Sequence, residues 1–222
     1  MYDMSRWDAK FRKLQSVYEA LSAEVEYRLK PPASDKEIAR LEQDLGRSLP
    51  PSLETFLATV SGSLFFSVGL PDGFELPGVL ENIVSFSLEV SLDGIRAGER
   101  ERGRRARELY AVPGNEYERA WHGKLGFISV PEGGLECCNV VAFDSADILD
   151  EHRVVFLSRV DDGDHGTVLG ENFGEYMESV LAVGGIGTDS WQFGPFLKDG
   201  TSGILPDCEN ARLYREAIGL VW

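Results

Sequence analysis

Through Gly62 the apolar residues recur at helical spacing, and beyond it they alternate or bunch into short runs. Trp7, Phe11, Leu14, Tyr18, Leu21 and Val25 step by four, three, four, three and four, which stacks them on one helical face. The pattern predicts one amphipathic helix filling residues 1–30. Pro31-Pro32 closes it, because proline lacks the amide hydrogen and disfavours helix in the residue before it. Ser34 and Glu37 then have the spacing of a capping box, in which each side chain satisfies the other's orphan amide. The helix they open turns Ile38, Leu41 and Leu45 inward and stops at Gly46, a left-handed cap. After Leu49-Pro50-Pro51 a third helix carries Leu53, Phe56, Leu57 and Val60 on one side and closes at Ser61-Gly62.

Residues 64–68, 125–130, 139–143 and 154–157 read as strands, with Glu132-Gly133-Gly134 the hairpin turn between the second and third. Residues 95–110 interrupt them as an arginine-rich helix. A late helix occupies 172–183, with Phe173, Tyr176 and Val180 on one side. Gly184-Gly185-Ile186-Gly187 reads as a linker. The tail is loop-like until Asp207, which is placed to cap a last helix holding Leu213, Tyr214 and Ile218. Helices, then a mostly antiparallel or mixed meander, then helix, make an α+β fold. Three parts are expected: an N-terminal amphipathic helix (1–30), a helical hairpin packed on a sheet (31–183), and a C-terminal extension packed on that domain (184–222). The stripe on the first helix needs cover, so the chain is expected to be a monomer, or a homodimer through that helix.

Composition adds three exclusions. With 222 residues, 43% of them hydrophobic, the chain can bury its own core. It contains no apolar run long enough to span a membrane, and MYDMSRWDAKFRK is not the start of a signal peptide. Three cysteines, two of them adjacent (Cys137 and Cys138), argue against a disulfide framework and for the cytoplasm.

Charge is more telling. The net charge is −15, a balance that phosphate backbones and anionic membranes repel and a basic protein attracts. Residues 131–180 hold twelve carboxylates against Arg153 and Arg159. The reverse bias lies in residues 100–107, RERGRRAR, which reads as a solvated helix face that also offsets part of the chain's acidity.

Catalytic signatures are missing. Asp161-Asp162-Gly163-Asp164-His165-Gly166 has the flavour of a calcium loop, but from Asp162 the fifth position is Gly166 and the twelfth Phe173, so the ligand pattern fails. The cysteines have no C-x-x-C spacing for zinc. There is no G-x-S-x-G elbow, and the glycines at 184–187 lack the Gly-Lys-Ser/Thr ending of a phosphate loop. His122, His152 and His165 stand beside charged or turn residues and read as surface histidines. No catalytic residue, metal or cofactor is expected.

Pro31-Pro32-Ala33-Ser34, Glu37-Ile38, Leu41-Glu42, Leu45-Gly46, Leu49-Pro50, Leu53, Phe56-Leu57 and Val60-Ser61-Gly62 together resemble the opening of the SUKH superfamily. That group was named after a yeast cell-wall regulator and contains many bacterial toxin-immunity proteins. The resemblance continues through Trp121 before a strand, the Val140-Val141-Ala142-Phe143-Asp144 strand, Val154–Leu157, and Asn172-Phe173 with Tyr176-Met177 opening the final helix, so it covers residues 31–183. The chain departs from it at Gly134-Leu135-Glu136, where the family has Gly-Asp or Gly-Asn, and in its longer arginine-rich insert. The resemblance implies a non-enzymatic immunity protein that binds and neutralises a basic, nuclease-type toxin. Asp144, Asp147, Asp150, Glu151, Asp161, Asp162, Asp164 and Trp121 are the candidate partner-binding residues. The alternative is a regulatory or scaffold protein, or a metal-assisted hydrolase built on the same carboxylates.

Overall fold

The computed structural model describes residues 3–130, 139–145, 151–160 and 163–222. Helix α1 (Trp7–Ala20) forms on the predicted stripe, with Trp7, Phe11, Leu14 and Tyr18 all fully buried. It stops earlier than its periodicity predicts. The amides of Leu21 and Ala23 both bond to the Tyr18 carbonyl, Ser22 takes a positive φ of 62°, and the chain returns as strand β1 (Glu24–Leu29). A step of four from Leu21 to Val25 suits a helix, but Val25, Tyr27 and Leu29 also alternate with Glu24, Glu26 and Arg28. The β-branched and aromatic members of that alternation favour the pleat.

Helix α2 (Asp35–Leu45) has the capping box: Ser34 Oγ accepts from the Glu37 amide, and the Glu37 carboxylate accepts from the Ser34 amide at 2.8 Å. Gly46 closes it with φ 67°. Helix α3 (Pro51–Thr59) packs on α2. Next come β2 (Ser63–Gly69) and β3 (Ser85–Ser91); the latter is a strand of alternating polar (serine or Glu89) and apolar residues absent from the sequence expectations. Ser91 caps α4 (Leu92–Arg104), which widens into a π-helical turn at Arg105–Leu109 before the short α5 (Glu116–Ala120). Strands β4 (Lys124–Val130), β5 (Asn139–Asp144), β6 (Arg153–Leu157) and β7 (Val168–Gly170) follow, then α6 (Phe173–Val183), α7 (Ser190–Phe193) and α8 (Glu209–Ile218). The turn expected at residues 132–134 and the cysteine pair lie outside the described residues. Cys208, not Asp207, caps α8, its Sγ accepting from the Ala211 amide.

All strand pairs are antiparallel, in two separate sheets of order β1-β2-β3 and β4-β5-β6-β7. The four-stranded sheet is buried on both faces. Phe143, Val154 and Phe156 face the main core, whereas Val140, Ala142, Val155 and Leu157 face a smaller core with Ala106 and Trp121. Two-sided burial explains why these strands read as unbroken apolar runs. The arginine-rich helix covers that second face and takes two of its arginines inside, while Arg100 and Arg107 stay exposed as the sequence predicts. Arg102 is 8% and Arg105 3% exposed. Arg102 grips both oxygens of Glu99 (2.7 and 2.6 Å) and donates to the Trp121 carbonyl. Burial alone would raise the Glu101 carboxyl, but hydrogen bonds from Arg104 and Arg105 outweigh it and hold it low.

Residues from both ends of the chain enter the main core. The hydroxyl of Tyr18 donates to the Gly184 carbonyl (2.8 Å) and meets that of Tyr214 (2.8 Å), joining α1, the 184–188 segment and α8. Residues 183–188 are buried, so the glycine run is not a linker. It lets the backbone thread between Phe66, Phe86 and α8, where side chains would collide. The stripe of α1 is thus covered within the chain itself.

Burial pushes the phenols of Tyr18, Tyr176 and Tyr214 above their ordinary value of 10.0. The folded state keeps these protons where the unfolded chain loses them, so the stabilisation is complete below pH ~10 and is lost as pH rises above it, at about 1.4 kcal/mol per unit and per phenol. Melting temperature should therefore fall steeply above pH ~10. The double change Tyr18→Phe, Tyr214→Phe should flatten that fall. An unchanged alkaline slope in the double variant would refute the assignment.

Candidate functional site

The described acidic candidates are already engaged or lie far apart. Asp144 ends β5, half-buried, with Lys124 Nζ at 2.7 Å, and lies opposite Arg153 in the register. Glu151 accepts a hydrogen bond from Ser52 Oγ (2.7 Å) in the first turn of α3. Asp164 is exposed in the turn before β7. Asp147, Asp150, Asp161 and Asp162 lie outside the described residues. The connection after Asp144 leaves one end of the four-stranded sheet, and the connection after Leu157 leaves the other. Between them run the five residues of β6, roughly 17 Å of strand. Antiparallel pairing therefore leaves Asp144 and Glu151 at one end of the sheet and Asp164 beyond the other.

Trp121 is fully buried. Its ring lies under the Arg105 guanidinium (4.8 Å to the centroid) and beside His165 (5.6 Å) and Tyr110 (6.5 Å). Its bulk fills the second core, so it presents nothing to a partner. His165 is likewise packed, with its ring on Tyr117 at 4.4 Å and its Nδ1 3.1 Å from the Ser158 carbonyl.

The open surface is the outer face of the three-stranded sheet. Strict alternation sends Val25, Tyr27, Leu29, Leu64, Phe66, Val68, Phe86, Leu88 and Val90 inward and leaves polar rows outside. Register sets those rows: Glu24–Gly69–Ser85, Glu26–Ser67–Ser87, Arg28–Phe65–Glu89, then Ser63–Ser91. A cleft opens at each end of this face.

The larger, about 740 Å³, is bounded by Lys30, Arg40 and Arg96 with Glu37, Asp44, Glu89 and Asp93. Much of its charge is internally paired. Arg96 reaches Asp44 (3.0 Å) and Asp93 (3.1 Å), Glu37 belongs to the capping box, and Glu89 accepts from Ser91 Oγ (2.9 Å).

The smaller cleft, about 490 Å³, differs in kind. Its floor is Ser67, Gly69, Ser85 and Ser87, side chains too small to fill the space above the sheet. Glu24 and Glu26 stand along one wall, with Trp191 and Asp189 at the other. Among the described residues lining it there is no lysine or arginine. Arg28, one row along, pairs with Glu26 (3.1 Å) and lies over Phe65 (4.5 Å). The α7 wall is tied down: Gln192 accepts from the Asp189 amide (3.1 Å) and donates to the Ser85 carbonyl (2.7 Å), while Asn139 donates to Asp189 (3.2 Å). Gly187 makes room for the Gln192 carboxamide, because a Cβ there would lie 1.9 Å from its oxygen. Trp191 nevertheless remains 43% exposed.

Sequence reasoning missed this face because it missed two of its three strands. The signal was present: EVEYRL and SFSLEVS both alternate with period two. Among the described residues no group of three or more histidine, cysteine or acidic side chains is placed to hold a metal ion, and no helix is long and apolar enough to cross a membrane. Residues 32–179 match the model of the SMI1 / KNR4 family (SUKH-1). No curated protein and no solved structure matches the chain. The match includes the serine floor of the smaller cleft and stops short of both walls.

Proposed function

The chain belongs to the SMI1 / KNR4 family (SUKH-1), and from that premise we propose that it is a non-enzymatic binding protein that neutralises a basic, nuclease-type protein toxin in the cytoplasm of the cell that makes it. Family membership supports a partner-binding role, since SUKH proteins include many toxin-immunity proteins. The observation that carries the choice of partner is the net charge of −15. Such a field attracts a molecule with a basic substrate groove and raises the rate at which the two meet by roughly 10- to 1,000-fold. The carboxylates of residues 144–164 contribute to this long-range attraction. Speed matters for an inhibitor that must act before the toxin does.

The test is to co-express the chain with a toxin domain encoded beside its gene and to measure survival, then to measure association between the purified proteins at rising salt. Cells should survive, and the association rate should fall as salt shortens the screening length below ~8 Å. Undiminished killing by that toxin, with no complex formed, would sink the reading and favour a regulatory role.

A further inference from the structure

We propose that the smaller cleft on the outer face of β1-β2-β3 is where the partner protein docks, and that it seats an extended, arginine-bearing segment of that partner. The inference rests on the reading of the chain as a protein-binding molecule and gives that reading an address. Three features converge on one occupant.

The first is shape. Ser67, Gly69, Ser85 and Ser87 leave a shallow trough between the β1 carboxylates and α7. Gly69 is open enough that Glu24 leans across it, a Cβ there meeting the Glu24 carboxylate only at 3.9 Å. An extended segment lying along such a floor turns alternate side chains into it and meets serine hydroxyls with its backbone.

The second is charge. Glu24, Glu26 and Asp189 line the trough; Arg28, from the next row, pairs with Glu26, but no lysine or arginine is among the described lining residues themselves. The other cleft on the same face carries three cations, with Arg96 bridging two carboxylates. Complementarity thus singles out one end of the face for a cationic guest.

The third is the half-exposed indole of Trp191, held on a wall that Gln192 and Asn139 pin to β3 and β5. Arginine suits the combination better than lysine. Its planar guanidinium stacks on an aromatic face and at the same time donates paired hydrogen bonds to a carboxylate. A pinned aromatic ring also loses little freedom on binding, the property that places tryptophan among interface anchors. Both walls lie outside the matched family region, 32–179, so the feature belongs to this chain's additions to the family pattern.

The test uses the full chain, labelled for amide and indole NMR, titrated with a short serine peptide bearing arginine at two alternate positions and with a twin carrying neutral citrulline instead. The arginine peptide should shift the amides of Ser67, Gly69, Ser85 and Ser87 and the Trp191 indole N–H, and the citrulline twin should not. Glu24→Gln with Glu26→Gln, and separately Trp191→Ala, should each weaken binding roughly tenfold. Glu54→Gln with Glu116→Gln removes as much charge from the exposed faces of α3 and α5 and should change affinity less than ~2-fold. Unchanged amide spectra elsewhere would show that the variants fold. Shifts confined to the loops beyond Asp144 and Leu157, equal binding of the citrulline twin, or equal losses in the trough and control pairs would each overturn the proposal. Trough binding of the peptide by a chain that fails to neutralise the adjacent toxin would defeat the partner reading alone. Neutralisation with no trough binding would defeat the trough alone.

Discussion

A chain lacking residues 1–29 should not fold. The deletion removes α1 and β1, and with them four fully buried large side chains: Trp7, Phe11, Leu14 and Tyr18. The rings of Trp7, Phe11 and Tyr18 pack on those of Phe56, Phe66, Phe86 and Phe173. The Trp7 indole donates to Glu178 (2.7 Å), to which Lys10 is also paired, and the Tyr18 hydroxyl satisfies the Gly184 carbonyl. At ~1.5–3 kcal/mol per buried side chain the apolar loss alone is roughly 6–12 kcal/mol, comparable to the ~5–15 kcal/mol that holds a whole domain together. The loss of β1 would also turn β2 from a central strand into an edge, with Phe66 and Val68 uncovered beside it. The expected product is aggregated or devoid of a cooperative melt, by size-exclusion chromatography and circular dichroism. A soluble monomer melting close to the full chain would mean that the packing described for α1 is wrong. The deleted segment lies outside the family match, so the match alone would have suggested that it is dispensable.

Gly126→Ala should be among the most damaging single-methyl additions in the molecule. Gly126 lies in β4 where α4 crosses it, and a Cβ there would stand 2.4 Å from the Gly98 carbonyl oxygen and 2.6 Å from its carbon. Both obstacles are backbone, so no side chain can swing away. The strand or the helix must move, and the Gly126 amide would be drawn off Glu99, which it reaches at 3.0 Å. The helix would also pull on the Arg102–Glu99 pair that anchors it. Overpacking of this kind costs about 3 kcal/mol, which for a chain of this length lowers the melting temperature by roughly 6–12 °C. Gly194→Ala is the control: nothing stands within 4 Å of its would-be Cβ, so it should stay within ~0.5 kcal/mol of the parent. Equal melting temperatures for the two variants would rule out the close helix–strand approach.

The same two regions separate what was legible in the sequence from what was not. The helical hairpin of α2 and α3 was legible down to its caps, because a capping box, a left-handed glycine and a proline at a helix start act within one turn of chain. The strands β4, β5 and β6 were legible as apolar runs, and the α+β class followed from their order. The end of α1 was not, because Leu21 and Val25 satisfy both a helical and an alternating period. Only the positive φ at Ser22 and the pairing of β1 with β2 choose between them.

Local order along the chain determined the caps of α2, most of the helices, four strands, the acidity and the family. Tertiary structure alone decided which patterns became surface. Arg102, Arg105 and Trp121 have the composition of an exposed patch, yet the second face of the four-stranded sheet needed covering and took them inside. Asp144, Glu151 and Asp164 belong to one acidic stretch of sequence, yet antiparallel pairing sets Asp164 at the other end of the sheet from the first two. Glu24, Glu26 and Trp191 are far apart in the chain, yet strand register and the glycine-threaded 184–188 segment bring them to one trough. Periodicity is a property of neighbours in sequence. Exposure depends on what the rest of the chain leaves uncovered, and that is settled only when distant segments pack.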